Sequence, residues 1–269
     1  EILMPDPSYP CNRHFVSAAE GTAVLLPTTA EERFQLSAAK VAAAWGPKTR
    51  GVLLASPSNP TGTSIPRDAL TRLIKQVHAR NGFVMMDEIY LSLSYDGKRQ
   101  SALAIDDNLI ILNSFSKYFN MTGWRLGWMI VPTHMVEPIE KMAASLAICA
   151  PTLAQHGAIA CFEPEALALF EQRREAFRQR RDYLVPALKA LNIDVPVTPD
   201  GAFYVYGDIS AHSSDSSAFS AALLNGARVA AVAGLDFGPA HAAHTMRFAY
   251  TTGLERLQEA IHRMKAFLG

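Results

Sequence analysis

In LIILNSFSKYFNMTGWRLGW, residues 109–128, an apolar run gives way to Ser114, Ser116 and Lys117, and Arg125 follows within the next turn or two. A lysine near a strand end is ordinarily a solvated surface charge. Its neighbours change that reading. Two hydroxyls and a guanidinium can jointly hold a phosphate, the arginine through paired charge-assisted hydrogen bonds. An amine beside a phosphate site suits a Schiff base with pyridoxal phosphate.

That ligand makes further demands. Its ring withdraws electrons best when the pyridine nitrogen keeps its proton, so a carboxylate should face it. MMDEIY supplies Asp87 at the end of an apolar run, where an unpaired carboxylate would be costly. Tyr90, and Asn59 in SNPTG, are suited to hydrogen-bond the ring's phenolic oxygen.

These residues need a scaffold that brings them together. GVLLA, FVMMD and LIILN read as short strands apolar on both faces, separated by crossover segments. Pro66 opens a helix with Leu70, Leu73, Ile74 and Val77 on one face, stopped by Asn81-Gly82. The pattern predicts an α/β fold: a mainly parallel sheet sandwiched by helices. Ser56 to Asn59, Asp87 and Ser114 all fall at the carboxyl ends of these strands, the edge where open α/β sheets bind ligands.

Farther on, residues 135–147, 152–163 and 165–191 have helical patterning. GAFYVYGDI, RVAAVAG and TMRFAYT read as strands of a smaller α+β unit. Thr252 and Glu255 suggest a capping box before a closing helix with Leu254, Leu257, Ile261, Met264 and Leu268 inward. The expected division is a large cofactor domain at 1–163, a bridging helix at 164–191 and a small domain at 192–269. EILMPDPSYP reads as a short strand and a Pro-rich turn, without initiator Met or signal pattern, so the chain is expected to start partway through its parent domain.

The 269 residues carry 25 basic and 25 acidic side chains, which gives no net field toward nucleic acid or an anionic membrane. No apolar run reaches the ~18 residues of a membrane span. Cys11, Cys149 and Cys161 lack CxxC spacing and read as reduced thiols of a cytoplasmic protein. His241 and His244 have metal-like spacing but no third ligand, so a loop is expected and no metal. Trp124 and Trp128 read as core residues. Tyr204 reads equally as a core residue or a border of the substrate pocket, and Ser116 equally as a turn residue or a phosphate contact.

The series SNPTG, DEIY, SFSK and GWRLGW resembles the motifs of the class I/II aminotransferases, the fold-type-I pyridoxal-phosphate enzymes, in order and in spacing. The resemblance covers nearly the whole chain. It implies that Lys117 is the Schiff-base lysine and general base, and that Asp87 partners the pyridinium. Asn59 and Tyr90 would contact the ring oxygen, and Ser114, Arg125 and Ser116 would bind phosphate. Arg247 in MRFAY matches the arginine that grips the substrate α-carboxylate. The implied protein is a cytoplasmic homodimer exchanging an amino group between an amino acid and a 2-keto acid. The family's N-terminal segment supplies phosphate-binding amides at a helix N-terminus, a ring-stacking aromatic and part of the dimer contact. None of these is assigned in this chain, which is therefore expected to hold pyridoxal phosphate poorly. Two other functions fit the same resemblance. Carbon–sulfur lyases of this type typically have His where Ser58 precedes Asn59. Aminotransferase-like effector domains of transcription regulators usually alter the Asn-Pro-Thr-Gly run kept at residues 59–62.

Overall fold

The computed structural model describes residues 1–97 and 99–269. Its centre is a six-stranded sheet of β1 (Ile2–Asp6), β2 (Ala23–Pro27), β3 (Gly51–Ala55), β4 (Phe83–Asp87), β5 (Ile110–Ser114) and β6 (Gly127–Ile130), in the order β2-β1-β3-β4-β5-β6. The first five strands run parallel and β6 is antiparallel to β5. β3 is buried on both faces, and β4 and β5 keep Val84, Met86, Ile110 and Ile111 buried, as a helix-covered parallel sheet requires. Val52, Leu54, Val84, Met86 and Ile111 form one core with α3 (Arg67–His78).

Helix α3 shows how the sequence sets this packing. Leu70, Leu73, Ile74 and Val77 recur at helical spacing, and all four are buried against the sheet. Asp68 in its first turn and Lys75 and His78 in its last complement the helix dipole. Truncating fully buried Leu73 to Ala would cost about 2–5 kcal/mol through lost burial and the cavity left behind.

A second, antiparallel sheet holds β7 (Tyr204–Asp208), β8 (Val232–Ala233) and β9 (Thr245–Ala249) in the order β7-β9-β8. Helix α6 (Pro164–Lys189) reaches both cores. Phe170 near its start packs with Tyr90, Phe115 and Tyr118, while Leu184, Val185 and Leu188 near its end pack with Val205, Met246 and Phe248.

Several expectations are corrected. RVAAVAG pairs only at Val232–Ala233: Arg228 is the left-handed cap of the helix Leu223–Ala227, and residues 229–231 join no strand. The closing helix, α8 (Leu254–Leu268), has Gly253 as its N-cap and no side-chain cap bond. Thr252 therefore lies one residue too early, and Glu255 is not three residues past the cap as the box requires. Leu254, in the first turn, is exposed, while Leu257 and Met264 are buried. Trp124 and Trp128 are not core residues: they are 50% and 36% exposed, because β6 lies at one end of the six-strand order. Trp128 still packs on Phe115, with ring centroids 5.0 Å apart.

Candidate active site

The strand ends deliver the site. Asp87 is the last residue of β4 and Ser114 the last of β5, while the turn after β3 carries Asn59. Arg247 comes from β9 of the other sheet and reaches across to the Asn59 side chain, its Nη1 donating to Asn59 Oδ1 at 2.9 Å. The two sheets are also joined by backbone. Gly62 accepts hydrogen bonds from the Asp200 and Gly201 amides at 3.0 and 3.1 Å, so the loop before β7 is pinned to the first motif. Gly62 has φ +67°, and a Cβ there would sit 2.6 Å from Pro199 and 2.8 Å from the Tyr204 carbonyl oxygen. Only glycine meets both conditions without strain.

Lys117 is half-buried and, among the described residues, forms no ion pair. Its amine is held below the usual lysine range, first by burial and then by the positive charges of Arg125 and Arg247, with Asp87 acting in the opposite direction. The pKa of Asp87 is pushed up to about 6, chiefly by burial, although its Oδ1 accepts the Ile89 amide at 3.0 Å and Lys117 favours the anion. Two guanidinium charges thus act on the Lys117 amine against the single opposing charge of Asp87, an arrangement short of negative charge. The Arg247 Nε is buried without a partner. Its guanidinium lies between two rings, 4.4 Å from the Tyr204 centroid and 4.9 Å from that of Phe237. Such stacking suits a planar cation and leaves its edge free for a carboxylate.

Tyr90 is buried, and its hydroxyl lies 3.1 Å from that of Tyr204. Burial first, and the Tyr204 hydroxyl next, hold the Tyr90 phenol well above its usual range, so it keeps its proton. Arg125 is exposed and adopts a left-handed backbone (φ 54°), with Nη1 donating to the Thr122 carbonyl at 2.7 Å. A non-glycine residue in that region costs on the order of 1 kcal/mol and persists where surrounding structure enforces it. Ser114 and Ser116 partner each other: the Ser116 amide donates to Ser114 Oγ at 3.0 Å, and the two hydroxyl oxygens are 3.0 Å apart. Ser116 thus makes the local turn contact with Ser114. His241 and His244 bond separately, to the Thr28 carbonyl and to Asp208.

Three aromatic residues were not singled out for the site from the sequence. The Lys117 amine lies 6.0 Å from the Phe203 centroid, and Phe237 supports Arg247. The third is Tyr9, just past the end of β1. Its phenol is raised to about 12, mainly by the Cys11 side chain beside it and by burial, and it feels both Tyr204 and Asp87. An aromatic side chain thus stands near Asp87, where none was assigned. The signal was present: Pro-Ser-Tyr-Pro follows the carboxyl end of a buried parallel strand, the rule that picked out Asp87 and Ser114.

The family described as aminotransferase class I and II matches residues 1–264. A valine–pyruvate aminotransferase of Mycobacterium tuberculosis is 37% identical over 99% of this chain and 69% of its own length. An arginine–pyruvate transaminase of Pseudomonas aeruginosa is 33% identical over 98% and 67% respectively. The crystal structure of an aminotransferase from Mycobacterium tuberculosis superposes with a TM-score of 0.95 at 37% identity, covering 99% of this chain and 69% of that one. The Thermus thermophilus aspartate aminotransferase with maleate gives 0.92 at 31% identity, covering 99% and 69%. The chain belongs to the class I and II aminotransferase family, enzymes that move an amino group between an amino acid and a keto acid.

Proposed function

We propose that the site takes pyridoxal phosphate and an α-amino acid, with Lys117 as the amine that joins the cofactor and later moves the substrate α-proton. The observation that carries this is the charge imbalance around Lys117: Arg125 and Arg247 both act on its amine, with Asp87 opposing them. The residues fit the absent group. A buried carboxylate raised to about 6 lacks the cation it would meet in a protonated ring nitrogen. The surplus positive charge suits a phosphate at Arg125 and a carboxylate at Arg247.

Pyridoxal phosphate, when bound, supplies an aldehyde that condenses with amines and a ring that draws electrons from the α-carbon. The chain's own residues do the rest. Arg247, stacked between Tyr204 and Phe237 and tethered to Asn59, orients the carboxylate by paired hydrogen bonds. The depressed affinity of the Lys117 amine for protons favours the neutral form a general base needs. Tyr90 and Asn59 serve the ring oxygen, Arg125 with Ser114 the phosphate, and Ser116 acts through Ser114. Tyr9, which feels both Asp87 and Tyr204, is suited to the ring face.

We further assign residues 1–163 as the cofactor domain, 164–191 as a bridging helix and 192–269 as a small domain, in a cytoplasmic homodimer. The exposed apolar side chains Met142, Leu146, Ile148 and Leu153 support pairing of two copies. No helix among the described residues is long and apolar enough to cross a membrane. Transamination fits better than carbon–sulfur cleavage because Ser58, not histidine, precedes Asn59. The test is Lys117→Ala, assayed for amino-group transfer with a panel of amino donors against 2-oxoglutarate and pyruvate. Loss of transfer from every donor is expected; a rate equal to wild type would refute the assignment.

A further inference from the structure

Tyr204 touches more of the site than any role above uses. It opens β7, is buried, and lies diagonally across the antiparallel pair from Arg247, since Tyr204 pairs with Ala249 and Tyr206 with Arg247. Alternation puts Tyr204 and Arg247 on one face of that sheet, within reach of each other. The contact is made: the guanidinium sits 4.4 Å from the Tyr204 ring centroid. The Tyr204 hydroxyl reaches the other way, to the Tyr90 hydroxyl at 3.1 Å, and the two rings meet edge to face with centroids 5.8 Å apart. Phe203 packs on the Tyr204 ring at 4.7 Å. One side chain therefore bridges the residue proposed for the substrate carboxylate and the residue proposed for the ring oxygen.

The hydrogen-bond inventory of two phenols decides what the bridge does. Each hydroxyl has one proton to give and two lone pairs to receive with. In the structure as it stands, either oxygen can be the donor. Once Tyr90 gives its proton to an acceptor on a bound ring, the bond to Tyr204 survives only with Tyr204 donating. Donation into the Tyr90 oxygen fixes the direction of the Tyr90 proton and strengthens the bond it makes, because linked hydrogen bonds polarise one another in a buried site. The ring face has a separate task, since removing it leaves the Arg247 guanidinium stacked on Phe237 only, with Asn59 as its hydrogen-bond partner.

We propose that Tyr204 is a positioning residue with two separable parts: its hydroxyl donates to Tyr90 and aims that proton at the ring oxygen, and its ring face holds Arg247 in register for the substrate carboxylate. The inference deepens the reading given under Proposed function and rests on the roles of Tyr90 and Arg247 stated there.

Three variants separate the parts. Tyr204→Phe keeps the ring and removes the hydroxyl, Tyr204→Leu removes both, and Tyr90→Phe is the control for the reading beneath. The readouts are the pH midpoint of the bound cofactor's absorbance, the Kd for pyridoxal phosphate titrated into cofactor-free protein, and KM for the amino donor. Tyr90→Phe should raise the midpoint, because the ring oxygen loses the donor that favours its anion. Tyr204→Phe should raise it too, by about half to one pH unit, from the usual net worth of one hydrogen bond. Its cofactor Kd should weaken by about 2- to 10-fold and its KM should stay within about twofold. Tyr204→Leu should add a rise in KM of about 3- to 10-fold, the size of a lost cation–π contact. If Tyr90→Phe shifts the midpoint and Tyr204→Phe does not, the hydroxyl role is overturned while the site reading stands. If Tyr204→Phe raises KM as much as Tyr204→Leu, the two parts are not separable and the proposal fails. If Tyr90→Phe itself leaves the midpoint unchanged, the role given to Tyr90 falls and this proposal with it.

Discussion

Replacing Arg247 with alanine should separate substrate recognition from cofactor binding. The guanidinium bonds Asn59 Oδ1 at 2.9 Å and rests between the Tyr204 and Phe237 rings, with Nε unpartnered. A carboxylate that engaged this edge would gain charge-assisted hydrogen bonds worth about 1.5–3 kcal/mol in all. Loss of that energy corresponds to a roughly 10- to 150-fold rise in KM. The substitution also strands the Asn59 oxygen, which adds to the cost if water does not replace the guanidinium. Cofactor Kd should change far less, since Arg125 and Asp87 do not depend on Arg247 for their place. Initial rates over a range of amino donor, with cofactor Kd measured on the same preparation, make the comparison. An unchanged KM would assign Arg247 to the fold alone. A cofactor Kd weakened as much as KM would mean that Arg247 does not act at the carboxylate.

Asp87→Asn should stabilise the cofactor-free protein near neutral pH. Folding raises the Asp87 pKa from 3.8 to about 6, so its contribution to stability is fully present below pH 3.8 and is lost as pH rises through about 6. The loss is at most about 3 kcal/mol, and Tm of the Asn variant should exceed wild type at pH 8 and match it near pH 4. With cofactor present the order should reverse, because asparagine cannot neutralise a protonated ring nitrogen, and cofactor Kd should weaken about 10-fold or more. Equal Tm at pH 8 without cofactor would show that Asp87 is not strained by burial. Ser116→Ala should alter cofactor Kd by less than about threefold, since the Ser116 amide still bonds Ser114; a much larger change would restore a direct phosphate contact. Gly62→Ala should cost at least about 1–2 kcal/mol in urea unfolding, through its left-handed φ and the contacts with Pro199 and the Tyr204 carbonyl. A wild-type midpoint would show that the loop yields easily.

What could be read from the sequence divides along physical lines. β3, β4 and β5 were legible because each is a short run apolar on both faces, which only a covered parallel sheet buries. Lys117, Asp87 and Asn59 followed from that, since ligand chemistry in such sheets gathers at strand ends. The limits came where tertiary contact overrides local pattern. Trp124 and Trp128 are as apolar as core residues, but their place beside an edge strand leaves them exposed. The Thr252–Glu255 spacing depends on where the helix begins, and Gly253 shifts that start by one residue. Phe237 reaches the site from a distant part of the chain with no local spacing to announce it, whereas Tyr9 follows a strand end. Tyr204 was legible as a site or core residue but not as the bridge between Tyr90 and Arg247, which needs the β7–β9 register to be seen.

The central claim is that Lys117 is the amine that joins the cofactor, and its most direct test is chemical. The protein is incubated with pyridoxal phosphate, reduced with borohydride, digested, and its modified peptide identified by mass spectrometry. The account predicts the pyridoxyl label on the peptide carrying Lys117, and its disappearance in Lys117→Ala. A label carried by another lysine, with Lys117 unmodified, would contradict it.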